Sequence, residues 1–422
     1  MIALRTQPVP RRAPNVTRAD PDSPNVIETV LAPLLDHVRH PTLIGRGKKG
    51  VARMRYSMTR WSNVLITGVT GLIGGEILRG LAARGHRGKV WALVRPTEQH
   101  SPEERLRERL RRSDDFSEGC ARAVAGDILR PDWGLTGAEY DEITNSVDVI
   151  IHNAADTSFA AHRNTSTTNV EGVRRLIDFA RACRRNPLIA YMSTASNVGR
   201  VSGRCLGEDD GCRPSNTHFN EYTHSKAIGE QTLRDSGLPV LTLRPTIVLS
   251  AGLPDPVFAR QILWFAPLTR AFAALPLDPH ARLDIVDVGF VAEAALRLLE
   301  HPQRAHDCYH LSAGANGCVT IDVLREMVTR ASNRRTPLRL VPPPEWTRAL
   351  HRQFVDTPRR RQVFQSLRHY LPFLNMDVVY DGARLREVVP TAELPVQPPA
   401  KYIPELLRLI RPKAALEEAC LP

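Results

Sequence analysis

Val64-Leu-Ile-Thr-Gly68-Val-Thr70-Gly71-Leu72-Ile73-Gly74-Gly75 reads as a short buried strand, a glycine turn and the opening of a helix over 73–84. Glycines at 68, 71 and 74 permit a tight turn and a close approach of backbone to a bound group. The first helical N–H groups and the positive end of the helix dipole then face whatever lies over the turn, an arrangement suited to a pyrophosphate. A strand before and a helix after set this pattern apart from a merely structural turn. Thr70, Leu72 and Ile73 share the loop and are expected to line the same site.

Outward from this loop the alternation repeats. Strands are expected at 89–95, 121–128, 148–155, 188–194 and 239–248, with helices at 168–183 and 222–235. Near-continuous apolar strands separated by helices predict a parallel sheet covered on both faces, an α/β doubly wound Rossmann fold. Beyond residue 250 the pattern loosens. Late strands are expected at 282–288 and 309–311, and proline-punctuated helical segments around 254–276, 325–361 and 402–411. The expected organisation is an extension over 1–60, a dinucleotide-binding domain over 61–250 that the late strands of 282–312 rejoin, and a smaller, mostly helical substrate region over 251–422.

The strand ends supply further cofactor contacts. The second strand ends at Arg95, where an acidic residue would suit a ribose 2′-hydroxyl and an arginine a 2′-phosphate. Arg95 therefore argues for NADP(H) over NAD(H); the other reading is an exposed arginine in an arginine-rich chain. Gly126-Asp127-Ile128 follows the third strand, and Asp127 either accepts the adenine amino group or caps its own loop. His152-Asn-Ala154-Ala155 ends the fourth, its small residues leaving room for the adenosine ribose. Asn169 opens the next helix, to cap it, to support the sheet, or both.

Only six of the 57 basic residues are lysine, and between Lys89 and Lys401 the single one is Lys226, in Glu221-Tyr-Thr-His-Ser-Lys226. Lysine is a compact point charge and arginine a planar fork, so an ammonium kept in this composition points to chemistry. Tyr222 lies four residues earlier, on the same helix face. Thr194 ends the fifth strand, on the side where ligands bind in open α/β sheets; Ser193 competes for its assignment. Carbonyl reduction needs a hydride and a proton. Tyr222 is the candidate general acid, Thr194 a donor to the substrate oxygen, and Lys226 a holder of the nicotinamide ribose. A cation about 4 Å away is worth ~4 kcal/mol at an effective dielectric of ~20, about three pKa units, which would bring the tyrosine near neutrality.

Bulk properties exclude other classes. The net charge of +12 suggests nucleic acid, but residues 1–60 carry eleven basic against four acidic residues, so the other 362 hold only +5. No basic stripe with interleaved aromatics appears there, and no nucleic-acid partner is expected. No run of ~18 uncharged apolar residues predicts a membrane span. Seven scattered cysteines form neither a CxxC pair nor a disulfide framework, and no metal site is expected. With no apolar leader at the N-terminus, a cytoplasmic setting fits. Within 1–60, a short amphipathic helix is expected at 25–40 and a basic linker at 46–49; Met54 and Met58 are alternative starts.

Together these residues resemble the extended short-chain dehydrogenase/reductase family. The matches, in order, are TGVTGLIGG from Thr67, GDI from Gly126, HNAA from His152, TNVEG from Thr168, MSTA from Met192, YTHSK from Tyr222 and LRPTIV from Leu243. RLDIVDVGFVAEA from Arg282 and YHLSAG from Tyr309 continue them. KVWALVRP, MSTA and YHLSAG are most similar to the thioester-reductase and fatty-acyl reductase branch. That resemblance implies NADPH-dependent reduction of an acyl thioester, on coenzyme A or a carrier protein, to aldehyde or alcohol. It also implies Thr194, Tyr222 and Lys226 as the triad, and any acyl-carrier protein as a partner in trans. Gly75 departs from many relatives, which have an arginine there near the 2′-phosphate. The apolar segment 259–277 either lines an acyl channel or packs as an ordinary helix, and the helix at 402–410 is expected to dock on the core. The remaining alternatives are a sugar-nucleotide epimerase or dehydratase, which Arg95 disfavours, a hydroxysteroid-type dehydrogenase, and an inactive NADP-binding sensor.

Overall fold

The computed structural model describes residues 63–110, 119–159, 165–251, 262–301, 304–331 and 336–409. These lie within one compact unit, Tyr56–Pro422. The features expected within 1–60 fall outside the described residues.

Seven parallel strands form the central sheet: β1 Val64–Thr67, β2 Val90–Val94, β3 Arg122–Ala125, β4 Val149–His152, β5 Leu188–Met192, β6 Val240–Pro245 and β7 Cys308–Leu311. Their order is β7-β6-β5-β4-β1-β2-β3. β1 pairs with β2 on one side and β4 on the other, so the winding reverses between β1 and β4. In sheets of this kind a ligand crevice opens there, beyond the carboxyl ends of the strands.

Strand periodicity divides the core. Val64 and Ile66 of β1, with Ala92, Ile151 and Ala190, face α1 (Leu72–Ala83) and α6 (Val288–Glu300) through Ile77, Leu78, Val291 and Leu298. Leu65, Trp91, Ile150 and Ile189 face the opposite way, onto α4 (Gly172–Ala182) through Val173, Leu176 and Phe179. Both strand faces are apolar because both are covered. Two further helices flank the site, α2 (Pro102–Leu110) and α5 (Glu221–Arg234).

The late strands divide. Cys308–Leu311 joins the sheet beside β6. The 282–288 run does not: Arg282–Leu283 pairs with Val319–Thr320, and Ile285–Asp287 with Ile247–Leu249, in separate two-stranded sheets. The expected 239–248 strand is likewise split, at Thr246, into Val240–Pro245 and Ile247–Leu249. Of the 325–361 segment, the end of Ile321–Ala331, Arg348–Phe354 and the start of Pro358–Leu367 are helical, and Arg339–Val341 is a strand.

A second hydrophobic cluster holds Phe272, Leu275, Leu324, Leu367 and Leu374, with Tyr402, Ile403, Leu406 and Leu407 of the last helix docked into it. The described residues of 259–277 form a 3-10 segment, Ile262–Ala271, and a strand, Ala274–Pro276. Their apolar residues Ala266, Leu268, Phe272 and Leu275 lie in this cluster, and none lines the cleft described next. For Ala266, Leu268, Phe272 and Leu275 burial in this cluster accounts for their apolar character, the packing alternative expected for the segment; residues 259–261 and the side chains of Trp264 and Phe265 lie outside what the structure describes. No described helix is long and apolar enough to cross a membrane.

Candidate active site

A cleft of about 450 Å³ opens over the carboxyl ends of β1, β2, β4 and β5. Gly68 adopts φ 70°, and a Cβ there would lie 2.6 Å from the Ala154 amide nitrogen. A Cβ at Gly74 would lie 2.4 Å from the Gly68 carbonyl oxygen. The turn closes through Gly71 N to Gly68 O at 3.0 Å, and the Asn153 side-chain amide donates to the same carbonyl at 3.3 Å. α1 begins at once, with Gly71 as a cap that has no side-chain bond and no acidic residue in the first turn. Its N–H groups and dipole therefore meet no competing carboxylate, which suits a pyrophosphate.

Gly68, Thr70, Gly71, Leu72, Ile73, Arg95, Asp127, Ile128, Ala154, Ala155, Thr194, Tyr222 and Lys226 all line this cleft. Gly74 lies behind it as the packing partner of Gly68. Arg95 is exposed at the end of β2, and Arg105 of α2 donates to its carbonyl and lines the cleft beside it. Gly75 has its own explanation. A Cβ there would lie 2.4 Å from Nε of Arg109, whose guanidinium donates to the carbonyls of Gly71 and Leu72 at 3.2 Å each. Asp127 accepts from Leu129 N at 3.0 Å, so one oxygen caps its own loop. Asn169 is buried and bonds both backbone groups of Asp156 and the Ser225 hydroxyl, tying the loop after β4 to α5.

Thr194, Tyr222 and Lys226 come together at the end of β5. Asn220 caps α5, accepting from Thr223 N, and thereby fixes where Tyr222 enters the cleft. Thr194 accepts from Ser196 N at 3.3 Å, and its hydroxyl acts on the Tyr222 phenol, favouring its ionised form. Ser193 is engaged elsewhere: its hydroxyl donates to the buried Glu230 carboxylate at 2.6 Å. Of the two hydroxyls, that of Thr194 is the one that acts on Tyr222. Lys226 is 3% exposed, with Nζ 2.6 Å from the Met192 carbonyl and 4.3 Å from the centroid of the Tyr191 ring.

The expected lowering of the Tyr222 pKa is not found. Desolvation pushes the phenol up to about 12, against the Thr194 bond, and Lys226 is not among the groups that move it. Burial acts on the lysine instead and lowers it to about 7, opposed by Glu230 and Cys212. At pH 7 Tyr222 thus holds its proton, and Lys226 lies near its midpoint.

An aromatic wall escaped the sequence reading. Phe159 stacks on Tyr222 with ring centroids 5.7 Å apart, on Tyr370 at 5.0 Å, and meets Phe373 edge-on at 5.5 Å. All four rings line the cleft, with Ile247 beside them. Phe159 follows the small-residue run of 152–155 closely enough to have been suspected. Tyr370 and Phe373 carried no signal, being ordinary aromatics about 150 positions from the triad.

Comparison with known proteins places this geometry. The family model described as male sterility protein matches residues 66–295. A non-canonical nonribosomal peptide synthetase, FrzA, from a Cladobotryum species is 29% identical over 330 residues, 72% of this chain and 31% of that protein. A Drosophila melanogaster protein named for fatty acyl-CoA reductase activity is 28% identical over 294 residues, 58% of this chain and 54% of that one. The chain thus spans only part of the length of these relatives. Among solved structures, the terminal R domain of the myxalamid PKS-NRPS pathway matches with TM-score 0.66 and 21% identity, covering 86% of this chain and 92% of that one. The reductase domain of a Mycobacterium tuberculosis nonribosomal peptide synthetase matches with TM-score 0.63 and 22% identity, covering 85% and 92%. At these identities the two structures show the shared fold.

Proposed function

The chain belongs to the male sterility protein family, and from that premise we propose that it is a nicotinamide-dependent reductase of acyl thioesters. The acyl group arrives on coenzyme A or on a carrier protein acting in trans and leaves as aldehyde or alcohol. The observation that carries this reading is the meeting of Thr194, Tyr222 and Lys226 in the cleft that the Gly68–Gly74 turn also lines. The cleft fits a dinucleotide, because glycines at 68 and 74 let the turn pack tightly on Ala154 and on itself, leaving the first N–H groups of α1 to face the cleft. When bound, the cofactor supplies the hydride.

The residues of the chain do the rest. Tyr222, protonated at neutral pH, holds a proton at Oη for the reduced oxygen. Thr194 lines the cleft with that phenol, acts on it and orients it. Lys226 places an ammonium below, where its donors can hold ribose hydroxyls. Phe159, Tyr370 and Phe373 exclude water and present an apolar surface to the acyl group. NADPH is the preferred cofactor, since Arg95 stands with Arg105 where a ribose-binding carboxylate would select NADH. The setting is cytoplasmic.

The test is to follow nicotinamide absorbance and products with NADPH and a panel of acyl-CoAs, carrier-bound acyl chains and UDP-sugars. Oxidation dependent on acyl thioester is expected. Tyr222→Phe and Lys226→Arg should each lower turnover by about 10²-fold or more while the protein stays folded. A fully active Lys226→Arg enzyme would refute the role given to the lysine.

A further inference from the structure

Tyr222, Lys226 and Glu230 recur at intervals of four along α5 and so share one face. The first two belong to the site described above, and Glu230 belongs to nothing yet assigned. It is 1% exposed, and a carboxylate so buried must be compensated. One oxygen accepts from Ser193 Oγ at 2.6 Å, Asn197 Nδ2 at 2.7 Å and Arg244 Nε at 3.1 Å. The other accepts from Arg234 at 2.7 Å and from Arg244 Nη2. These five bonds come from four residues, at the end of β5, in the turn after it, on α5 itself and on β6. Ser193 directly precedes Thr194, and Asn197 lies in the turn that Thr194 caps.

We propose that Glu230 is the positioning residue of this site: it clamps the Thr194 turn to α5 and is the counter-charge that keeps Lys226 an ammonium. This rests on the reading of Lys226 as a functional cation.

The surroundings of Lys226 support the second half. Tyr191, beneath Nζ, is pushed well up by burial and stays neutral. His152 of β4 is buried and lowered to about 3, so it carries no charge at pH 7. Burial raises the Cys212 and Cys308 thiols, which stay protonated, and Tyr222 is a neutral phenol. On the far side of the clamp, His310 is lowered to about 4. Glu208, the other buried carboxylate there, pairs with Arg384 at 3.7 Å and offers Arg244 only its carbonyl. Among the described groups that act on the lysine, Glu230 is thus the one that carries a negative charge at pH 7. It is shared with two arginines, yet it is also held on the lysine's own helix, one turn away.

The lysine content makes the test direct. With six lysines in the chain, ¹³Cε-lysine labelling gives few NMR resonances, and Lys226→Met identifies the one that matters. In Glu230→Gln the titration midpoint of that resonance should fall by about one pH unit or more, the scale of a charge lost at helical i,i+4 distance. Arg234→Gln, which trims the exposed rim of the clamp, should leave it in place. If Glu230→Gln alone fails to fold, the paired Glu230→Gln/Arg244→Gln variant removes both members of the buried pair, a change that buried pairs often tolerate; a fall in the same direction but smaller is expected there, because the Arg244 charge is lost with the carboxylate. A folded variant with an unshifted midpoint overturns the proposal. A shifted midpoint beside a fully active Lys226→Arg enzyme would instead remove the role of the lysine and leave the coupling standing.

Discussion

Gly74→Ala tests whether the glycine turn is a cofactor cradle. The new Cβ would lie 2.4 Å from Gly68 O and 2.9 Å from Asn153 Nδ2. Ordinary contact needs roughly 1 Å more, so the Gly68 carbonyl must retreat by about that distance. Gly68 has little freedom to comply. It sits at φ 70° with its own Cβ position 2.6 Å from Ala154 N, and its carbonyl anchors both the Gly71 amide and the Asn153 side chain. Overpacking of this kind costs about 1–3 kcal/mol of stability. A displacement of ~1 Å in a positioned site costs about 10²-fold. NADPH affinity, measured by fluorescence titration, should therefore weaken about 30- to 100-fold, with a lowered Tm. Gly85→Ala is the control: it has φ 63° and nothing within 4 Å of its Cβ. It should lower stability by about 1 kcal/mol and leave the NADPH Kd alone. A Gly74→Ala protein that binds NADPH within about threefold of the parent would refute the cradle.

Arg95→Ser should weaken NADPH about tenfold or more while NADH changes little, since a charge-assisted bond to the 2′-phosphate is lost; tighter NADH binding by the parent protein would sink the NADP(H) preference itself. Phe159→Ala removes the ring stacked on Tyr222. It should raise KM for acyl thioesters and lower the Tyr222 midpoint towards 10 as water enters, read as tyrosinate absorbance, with NADPH affinity held. An unmoved tyrosine midpoint would show that Phe159 does not enclose the phenol.

The sheet and the glycine turn were legible because both are local patterns: apolar strands of four to six residues, and glycines at fixed offsets between a strand and a helix. Tyr222 and Lys226 were legible for the same reason, as a helical pair. What failed depended on distance or on surroundings. Ser193 and Thr194 are neighbours on a strand end, and only Glu230, 37 residues away from Ser193, separates their roles. The apolar run at 282–288 looks like a sheet strand, but its partners are other short strands far along the chain. Tyr370 and Phe373 reach the cleft from a segment whose composition carries no chemistry. The pKa of Tyr222 was misjudged because a distance between charges was assumed, whereas enclosure of the phenol decides the sign.

The lone internal lysine now has a structural counterpart in Arg244. Both are buried cations on which Glu230 acts, 3% and 1% exposed. Arg244 presents its fork to both oxygens of Glu230 and a third nitrogen to the Glu208 carbonyl. Burial alone would lower it, but the paired carboxylate outweighs this and raises it further. Such a charge is permanent and its donors are committed, which is what arginine does well. At position 226 the Met192 carbonyl and the Tyr191 ring leave room for a compact head. A guanidinium there would bring five donors into a space that shows one carbonyl. Its charge could not be tuned, whereas that of Lys226 is drawn down to about 7 and opposed by Glu230. Arginine therefore serves where the cation is structural, and on the proposed reading lysine is kept where donors must remain for a ligand and the charge lies close to its midpoint.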